Sequence, residues 1–281
     1  MRLKDKVAII TGAGAGLGRE SALLFAEEGA KVVIADRDPV RARSVEQEIR
    51  DRGGVALGLE VDVADEAQVR AMTDRTISEY QKLDILFCNA GIGAPRSSFL
   101  DQTPADWRRV FDVNVIGMLS CIQQAVPHFR ANGGGVVLNC SSGAALVGIP
   151  GVPVYSATKG AINALTRALA IDLGAENIRV NTLCPMGGMS ANFMLPEGSP
   201  LVDETSLFEN YIPADSPGPL ARPRPPRLID HARAALFLVS DDAAWVHGVA
   251  LPTDGGASVR PMLDIERTIR AYESARFLSS S

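Results

Sequence analysis

Tyr155 and Lys159 stand four residues apart in Val154-Tyr155-Ser156-Ala157-Thr158-Lys159-Gly160-Ala161, at the start of a helical pattern that continues to about Gly174. Positions i and i+4 share one helix face, so the phenol and the ammonium are neighbours. A nearby cation favours the phenolate. A tyrosine with an ordinary pKa of about 10 is thereby drawn towards the neutral range, where it can act as acid and base. Thirteen residues before Tyr155, Asn139-Cys140-Ser141-Ser142 ends a β-branched run, and the Ser142 hydroxyl can hold the oxygen of a substrate while a proton moves. Each feature has a bland alternative: Tyr-x-x-x-Lys arises by chance, and a serine after a strand commonly serves only a turn. Their weight comes from occurring together with a second constellation near the amino terminus.

That constellation is Thr11-Gly12-Ala13-Gly14-Ala15-Gly16-Leu17-Gly18, between the apolar run 7–10 and a helical pattern over 19–28 that Gly29 stops. Glycines let the backbone turn sharply and approach a pyrophosphate, and the helix start adds free N–H groups and the positive end of its dipole. Gly12, Gly16, Leu17 and Gly18 are the residues expected at that contact. The next run, 31–35, ends in Asp36, eighteen residues after Gly18, where a carboxylate can accept hydrogen bonds from both hydroxyls of an adenosine ribose. A 2′-phosphate there would meet like charge, which favours NAD over NADP. Arg37 argues the other way because it can pair with a phosphate, although Ala15 brings no basic side chain to the loop. Asp36 could also be a mere turn residue before Arg37-Asp38-Pro39. Asp62-Val63 and Asn89-Ala90-Gly91 fall at further strand ends, where α/β proteins bind ligands. Asp62 is placed to meet an adenine amino group; Asn89 either touches the ligand or ties neighbouring strand ends together.

The scaffold that positions these groups is written in the alternation of the chain. β-Branched runs at 7–10, 31–35, 55–61, 83–88, 136–140, 179–183 and 249–251 are separated by helix-length segments. This implies a doubly wound, Rossmann-type α/β fold: a parallel seven-stranded sheet with helices on both faces. Near-continuous apolar strands suit a sheet covered on both sides. A single catalytic domain over 1–256 accommodates the pattern. The rhythm breaks at about 187–227, where no strand is visible and prolines gather, Pro196, Pro200, Pro213, Pro217, Pro219, Pro223, Pro225 and Pro226 among them. That segment cannot be one long helix and reads as a substrate lid. Residues 257–281 form a C-terminal extension expected at a subunit interface.

Composition excludes several classes. With 46% hydrophobic and 22% charged residues in 281, the chain is folded, not disordered or collagen-like. A net charge of -5 argues against a nucleic-acid partner, which needs a concentrated basic face. The notable basic cluster, Arg222, Arg224 and Arg227, is interleaved with prolines and reads as solvated loop. The first apolar run is too short for a signal h-region or a membrane span, so a cytoplasmic protein without a membrane partner is expected. Cys88, Cys121, Cys140 and Cys184 are widely spaced, and no pair of His128, His231 and His247 has metal-ligand spacing. Reduced, buried thiols and no metal are therefore expected.

Taken in order, these motifs resemble those of the short-chain dehydrogenase/reductase family over about residues 6–256. The family's Thr-Gly-x-x-x-Gly-x-Gly is matched by Thr11, Gly12, Gly16 and Gly18, its Asn-Ala-Gly by Asn89, Ala90 and Gly91, and its Tyr-x-x-x-Lys by Tyr155 and Lys159. Ser142 falls at the family's catalytic serine. Asn114, which the residues alone mark only as a capping or kinking position, matches a helical asparagine that holds a water for a proton relay through the lysine. Asp254-Gly255-Gly256 resembles a signature near the last strand. The resemblance implies hydride transfer between a secondary alcohol carbon and nicotinamide C4, with Tyr155 moving the hydroxyl proton, Ser142 fixing the oxygen and Lys159 binding the nicotinamide ribose. It also implies a homotetramer. One departure follows Asn181-Thr182-Leu183-Cys184-Pro185: Met186 replaces the family's glycine, and Ser190 is expected to stand in for a cofactor-binding threonine. Pro185, Gly188 and Ser190 are carried over as cofactor contacts.

The lid segment offers Met186, Met189, Phe193, Met194, Leu195, Phe208 and Ile212, and flexible methionines mould to irregular apolar ligands. Gly143, Ala144 and Ala145 leave room beside Ser142. These features favour an apolar secondary alcohol or ketone, such as a steroid, terpene or aryl carbinol, although the same residues could simply pack the lid onto the domain. A polyol or sugar dehydrogenase, for which Asn192 and Asn210 are polar lid groups, is an alternative. An epimerase or dehydratase using NAD internally is another, as is a non-catalytic NAD-binding regulator, which should have lost Tyr155 or Lys159.

Overall fold

Alternate residues of one strand divide the protein into two layers. On β1 (Val7–Thr11), Ala8 and Ile10 belong to one apolar cluster and Ile9 to the other, as the two-residue repeat of a strand dictates. The first layer packs Phe25, Val45, Ile49, Leu236 and Leu238 against the sheet; the second packs Met72, Met118, Ile122, Phe129 and Ile162. In the computed structural model, which describes residues 1–93, 98–187 and 226–259, all seven runs expected from the sequence are strands: β1, β2 (Lys31–Asp36), β3 (Val55–Glu60), β4 (Ile85–Cys88), β5 (Gly135–Cys140), β6 (Ile178–Pro185) and β7 (Ala250–Thr253). They form one sheet in the order β3-β2-β1-β4-β5-β6-β7, every pairing parallel.

Parallel neighbours need crossovers, and helices supply them. The described helices are α1 (Gly16–Glu27), α2 (Pro39–Asp51), α3 (Glu66–Tyr80), α4 (Pro104–Phe111), α5 (Gly117–Ala131), α6 (Pro153–Gly174) and α7 (Leu228–Val239). The first begins within the glycine loop, three residues before the expected start at 19, because Gly16 at φ +54° turns the chain directly from loop into helix, a conformation that glycine adopts without steric cost. α2 and α3 are capped by Asp38 and Asp65, each accepting from two backbone N–H groups, as short polar side chains do at helix starts. Between α4 and α5 the helix widens into a π turn, Asp112–Ile116, the kind of distortion often found at functional sites. The whole run Pro104–Ala131 is long and apolar enough to cross a membrane by length and composition, but half of its apolar window is buried, with Met118, Ile122 and Phe129 in the core.

Strand order reverses between β1 and β4, so their chains leave the carboxyl edge in opposite directions and open a crevice there. The seam is closely held. The Thr11 hydroxyl accepts from the Asn89 and Ala90 N–H groups at 3.1 and 3.0 Å, and the Asn89 amide donates to the Thr11 and Gly12 carbonyls at 3.0 and 3.1 Å. Of the expected lid at 187–227 only Gly187, Pro226 and Arg227 are among the described residues, and the C-terminal extension is described only as far as Val259.

Leu86 lies fully buried in β4 at the centre of the sheet. Its replacement in Leu86→Ala should cost about 2–5 kcal/mol, read as a lower urea midpoint at unchanged slope; a loss below about 1 kcal/mol would show that the centre of the sheet is less tightly packed than its burial implies.

Candidate active site

The glycine loop is shaped by close approaches that any side chain would spoil. Gly12 sits at φ +63°, and a Cβ there would lie 2.8 Å from Ala90 Cα. A Cβ on Gly18 would overlap the Gly12 carbonyl oxygen, and one on Gly14 would come within 2.8 Å of the Asp36 carboxylate. That carboxylate is already oriented: Oδ2 accepts the Gly14 N–H at 2.8 Å and Oδ1 the Asp38 N–H at 3.0 Å. A carboxylate has about four acceptor positions, so each oxygen keeps capacity for a ligand hydroxyl. Unlike α2 and α3, α1 has no side-chain cap at Ala15, leaving first-turn N–H groups for an anion. Leu17 is buried in the core, so what it offers at this turn is its backbone. The cradle therefore fits a dinucleotide.

Other positions expected near such a ligand are placed with different degrees of engagement. Arg37 is exposed beside Asp36. Asp62 is exposed past the end of β3 and its carboxylate accepts from the Ala64 N–H at 2.9 Å, while Val63 is buried with its carbonyl facing Gly117, where a Cβ would lie 2.8 Å away. The amide nitrogen of Asn89 is taken up by the two carbonyls of the seam. Pro185 ends β6, paired with Thr253. Gly188 and Ser190 lie outside the described residues.

The catalytic candidates converge at the carboxyl ends of β4 and β5. Ser142 Oγ accepts the Ala144 N–H at 3.1 Å, which fixes its hydroxyl on the side of Tyr155. The Lys159 Nζ lies 5.6 Å from the Tyr155 ring centroid and donates to the Cys140 carbonyl at 2.8 Å. Asn114, on the π turn, ties three segments together: Oδ1 accepts the Ile92 N–H at 2.8 Å, and Nδ2 donates to the Ile92 carbonyl at 3.0 Å and to Thr158 Oγ1 at 3.1 Å. Gly91 makes this convergence possible, since a Cβ there would be 3.3 Å from Asn114 Oδ1 and 3.4 Å from Lys159 Nζ.

Electrostatics differ from the sequence expectation. Burial pushes the Tyr155 phenol well above its ordinary value, opposed by the neighbouring Ser142 hydroxyl. Burial likewise lowers the Lys159 ammonium, opposed by the nearby Cys140 and Cys184 thiols. Desolvation disfavours a charged form of either sign, and it is the largest cause at both groups. The phenol is thus held protonated, the form that donates to a carbonyl oxygen.

Several supporting residues carry no sequence signal of their own. The Ser141 hydroxyl donates to the Lys159 carbonyl at 2.9 Å, and Thr158 Oγ1 to the Tyr155 carbonyl at 2.7 Å, fixing the first turns of α6. His231, 1% exposed on α7, has its Nε2 2.8 Å from the Gly187 carbonyl and its Nδ1 2.8 Å from Thr253 Oγ1. A lone histidine in an apolar helical pattern gives no hint of that bridge.

A parallel sheet with a glycine-lined crevice at its switch point, and a Ser-Tyr-Lys group assembled from the end of β5 and the start of α6, defines a dinucleotide-fold enzyme site. Residues 6–196 match the family described as short chain dehydrogenase, and the chain belongs to that family of oxidoreductases. It is 38% identical to the 7α-hydroxysteroid dehydrogenase of Escherichia coli K12 over 256 residues, 91% of this chain and 95% of that protein. It is also 38% identical to the cis-4-hydroxycyclohexanecarboxylate dehydrogenase of Sinomonas cyclohexanicum over 252 residues, covering 90% and 96% of the two chains. The solved structure of a 7α-hydroxysteroid dehydrogenase complexed with NADH and 7-oxo glycochenodeoxycholic acid superposes with a TM-score of 0.79 at 38% identity, over 91% of this chain and 95% of that one.

Burial lowers the His231 imidazole below its ordinary value, against the Gly187 carbonyl and Asp230, which raise it. Between the ordinary value near 6.5 and the lower folded one, the unfolded chain binds a proton that the fold does not, so stability falls as the pH drops through that window. The melting temperature of His231→Gln should therefore fall less than that of the wild type between about pH 7 and about pH 5; equal falls would remove His231 from the account.

Proposed function

We propose that the protein is an NAD-dependent oxidoreductase interconverting an apolar secondary alcohol and its ketone, with Tyr155 exchanging the proton. The observation that carries this reading is the half-buried Tyr155 phenol standing beside the Ser142 hydroxyl and flanked by the buried Lys159. Gly12, Gly16, Gly18 and the Leu17 backbone would hold the pyrophosphate, Asp36 the adenosine ribose, Asp62 and Val63 the adenine, and Lys159 the nicotinamide ribose. Arg37, Asn89, Ala90, Gly91 and Pro185 complete the expected contacts, with Gly188 and Ser190 beyond the described residues. NAD in place of NADP follows from the Asp36 carboxylate, whose charge would repel a 2′-phosphate.

When bound, the cofactor supplies the redox chemistry, its nicotinamide taking or returning the carbinol hydrogen with its electron pair, and its oxidised ring adds positive charge that favours a phenolate. The chain's own residues do the rest. Ser142 fixes the substrate oxygen next to Tyr155. In the reducing direction the protonated phenol donates to the forming alkoxide; in the oxidising direction the Tyr155 oxygen takes the hydroxyl proton. Lys159, buried and anchored on the Cys140 carbonyl, balances the charge that develops on Tyr155, and Asn114 holds the walls of that pocket at a fixed spacing. A proton leaving Tyr155 would travel by way of Lys159 and the Asn114 turn.

A 7α-hydroxysteroid and a 4-hydroxycyclohexanecarboxylate, the substrates in the relatives' names, are ring-borne secondary alcohols, which supports an apolar ring alcohol here. A cytoplasmic setting agrees with four buried free thiols. A homotetramer would cover apolar side chains such as Trp245 and Ile171, 99% and 83% exposed, and multi-angle light scattering tests it.

Tyr155→Phe should lower alcohol oxidation by about 10²- to 10⁴-fold, the usual worth of a general acid/base, while leaving NAD affinity within about twofold on the logic that its role is confined to the transition state. Oxidation by the wild type should speed up as pH rises through the elevated Tyr155 ionisation, and that dependence should vanish in the variant. Full activity in Tyr155→Phe would overturn the mechanism. Asp36→Ala should shift the NAD-to-NADP preference by about tenfold or more towards NADP, since hydrogen bonds to charged groups contribute about 1.5–3 kcal/mol; an unchanged ratio of kcat/KM would reassign Asp36 to loop geometry alone.

A further inference from the structure

We infer that Met186 sets how bulky an alcohol can stand beside Ser142, and that His231 is the positioning residue that keeps it there. The inference rests on the reading of Ser142 as the group that holds the substrate oxygen, and it narrows the substrate class of that site.

Three small residues, Gly143, Ala144 and Ala145, follow Ser142, and by themselves they would leave open space next to the reacting oxygen. That space is taken from the neighbouring strand. Met186, the first residue after β6, lays its side chain across Gly143: a Cβ built on Gly143 would overlap the Met186 Cε and stand 2.8 Å from its Cβ and 3.2 Å from its Cγ. Gly143 is itself buried, whereas Met186 is half-buried. Its thioether is therefore supported from below by the Ser142 loop and open on another side. An apolar, polarisable chain of that length, next to a fixed hydroxyl, is a wall against which a ring substrate packs or collides.

The backbone on both sides of Met186 is tied down. Its own N–H donates to the Thr253 carbonyl at 3.4 Å, a long bond that gives little hold by itself. The stronger restraint is His231, which reaches the Gly187 carbonyl with one ring nitrogen and the Thr253 hydroxyl with the other, each at 2.8 Å. One neutral imidazole can donate to Gly187 and accept from Thr253 at once, spanning the ends of β6 and β7 from α7. Met186 is thus caught between a bridge on its carboxyl side and Gly143 beneath it.

The test compares wild type, Met186→Ala, Met186→Leu, His231→Leu and His231→Gln on cyclopentanol, cyclohexanol and a fused bicyclic secondary alcohol with NAD. Rates are normalised to active-site concentration, and NADH binding is followed separately by fluorescence. A single methylene in an apolar pocket changes kcat/KM by roughly 10- to 200-fold, so Met186→Ala should raise the bicyclic-to-cyclopentanol ratio of kcat/KM at least about tenfold. Met186→Leu should keep the wild-type ratio. His231→Leu should move the ratio the same way as Met186→Ala, and His231→Gln, which can still reach the Gly187 carbonyl, should restore part of it. Partial unfolding lowers both alcohols alike and leaves the ratio unmoved. Turnover by the wild type with an unchanged ratio in Met186→Ala overturns the inference while leaving the oxidoreductase reading intact. An unchanged ratio in His231→Leu alone overturns the positioning role. A wild type that binds NADH yet turns over none of the alcohols overturns the apolar-alcohol reading, and this inference with it.

Discussion

The seam between β1 and β4 governs the geometry of everything at the carboxyl edge. Strand order reverses there, and a reversal is the place where two parallel strands part company and leave a crevice. A crevice needs its walls held, and Thr11 and Asn89 do this with four hydrogen bonds between the ends of two strands 77 or 78 residues apart in sequence and the adjacent Ala90. With that spacing fixed, Gly12 and Gly18 can pack at near contact, Asp36 can be reached by the Gly14 N–H, and the β4 end can run on through Gly91 to meet Asn114 and Lys159. The Asn89 amide nitrogen is taken up by the Thr11 and Gly12 carbonyls.

From this seam to the catalytic group the connection is continuous. Gly91 admits Asn114 and Lys159; Asn114 reaches Thr158; Thr158 and Ser141 fix the backbone of the turn carrying Tyr155 and Lys159. The consequence is electrostatic. Lys159 is withdrawn from water and Tyr155 is partly covered by the same packing that positions them, so the lysine loses some of its tendency to carry charge and the phenol keeps its proton. A charged partner brought into such a place acts more strongly than it would in water, which is why the acid/base balance of the pair is set by what is bound beside it and not by the two side chains alone.

Much of this was legible in the chain. All seven strands stand where β-branched runs lie, because strands covered on both faces must be apolar throughout. The glycine loop, Asp36 and the Tyr155-Lys159 spacing are local signals, carried by residues close together, and the fold brings them to the carboxyl edge of one sheet. What escaped was tertiary. Lys159 suggested a depressed phenol pKa from its spacing, but spacing says nothing about desolvation, which dominates. Gly143 to Ala145 suggested open room, but over Gly143 that room is taken by Met186, just past the end of β6. His231 looks like any polar interruption of an amphipathic helix until Gly187 and Thr253 are brought to its two nitrogens. Asn114 was readable as a kink, and the π turn is one, but its three hydrogen bonds depend on segments that only the fold assembles.

The wiring of the sheet also imposes a timetable. β1 is made early, but its second neighbour, β4, is synthesised only after β2 and β3 have passed, so the glycine loop cannot be closed on its far side until Asn89 and Ala90 emerge. Met186 waits longer still, because the His231 bridge beside it needs Thr253, on the strand that completes the sheet. Contacts of such long sequence separation form late and slowly. A ribosome-bound chain would thus own its glycine loop long before Met186 could be held against Gly143, and the two ends of the carboxyl edge would be completed in that order.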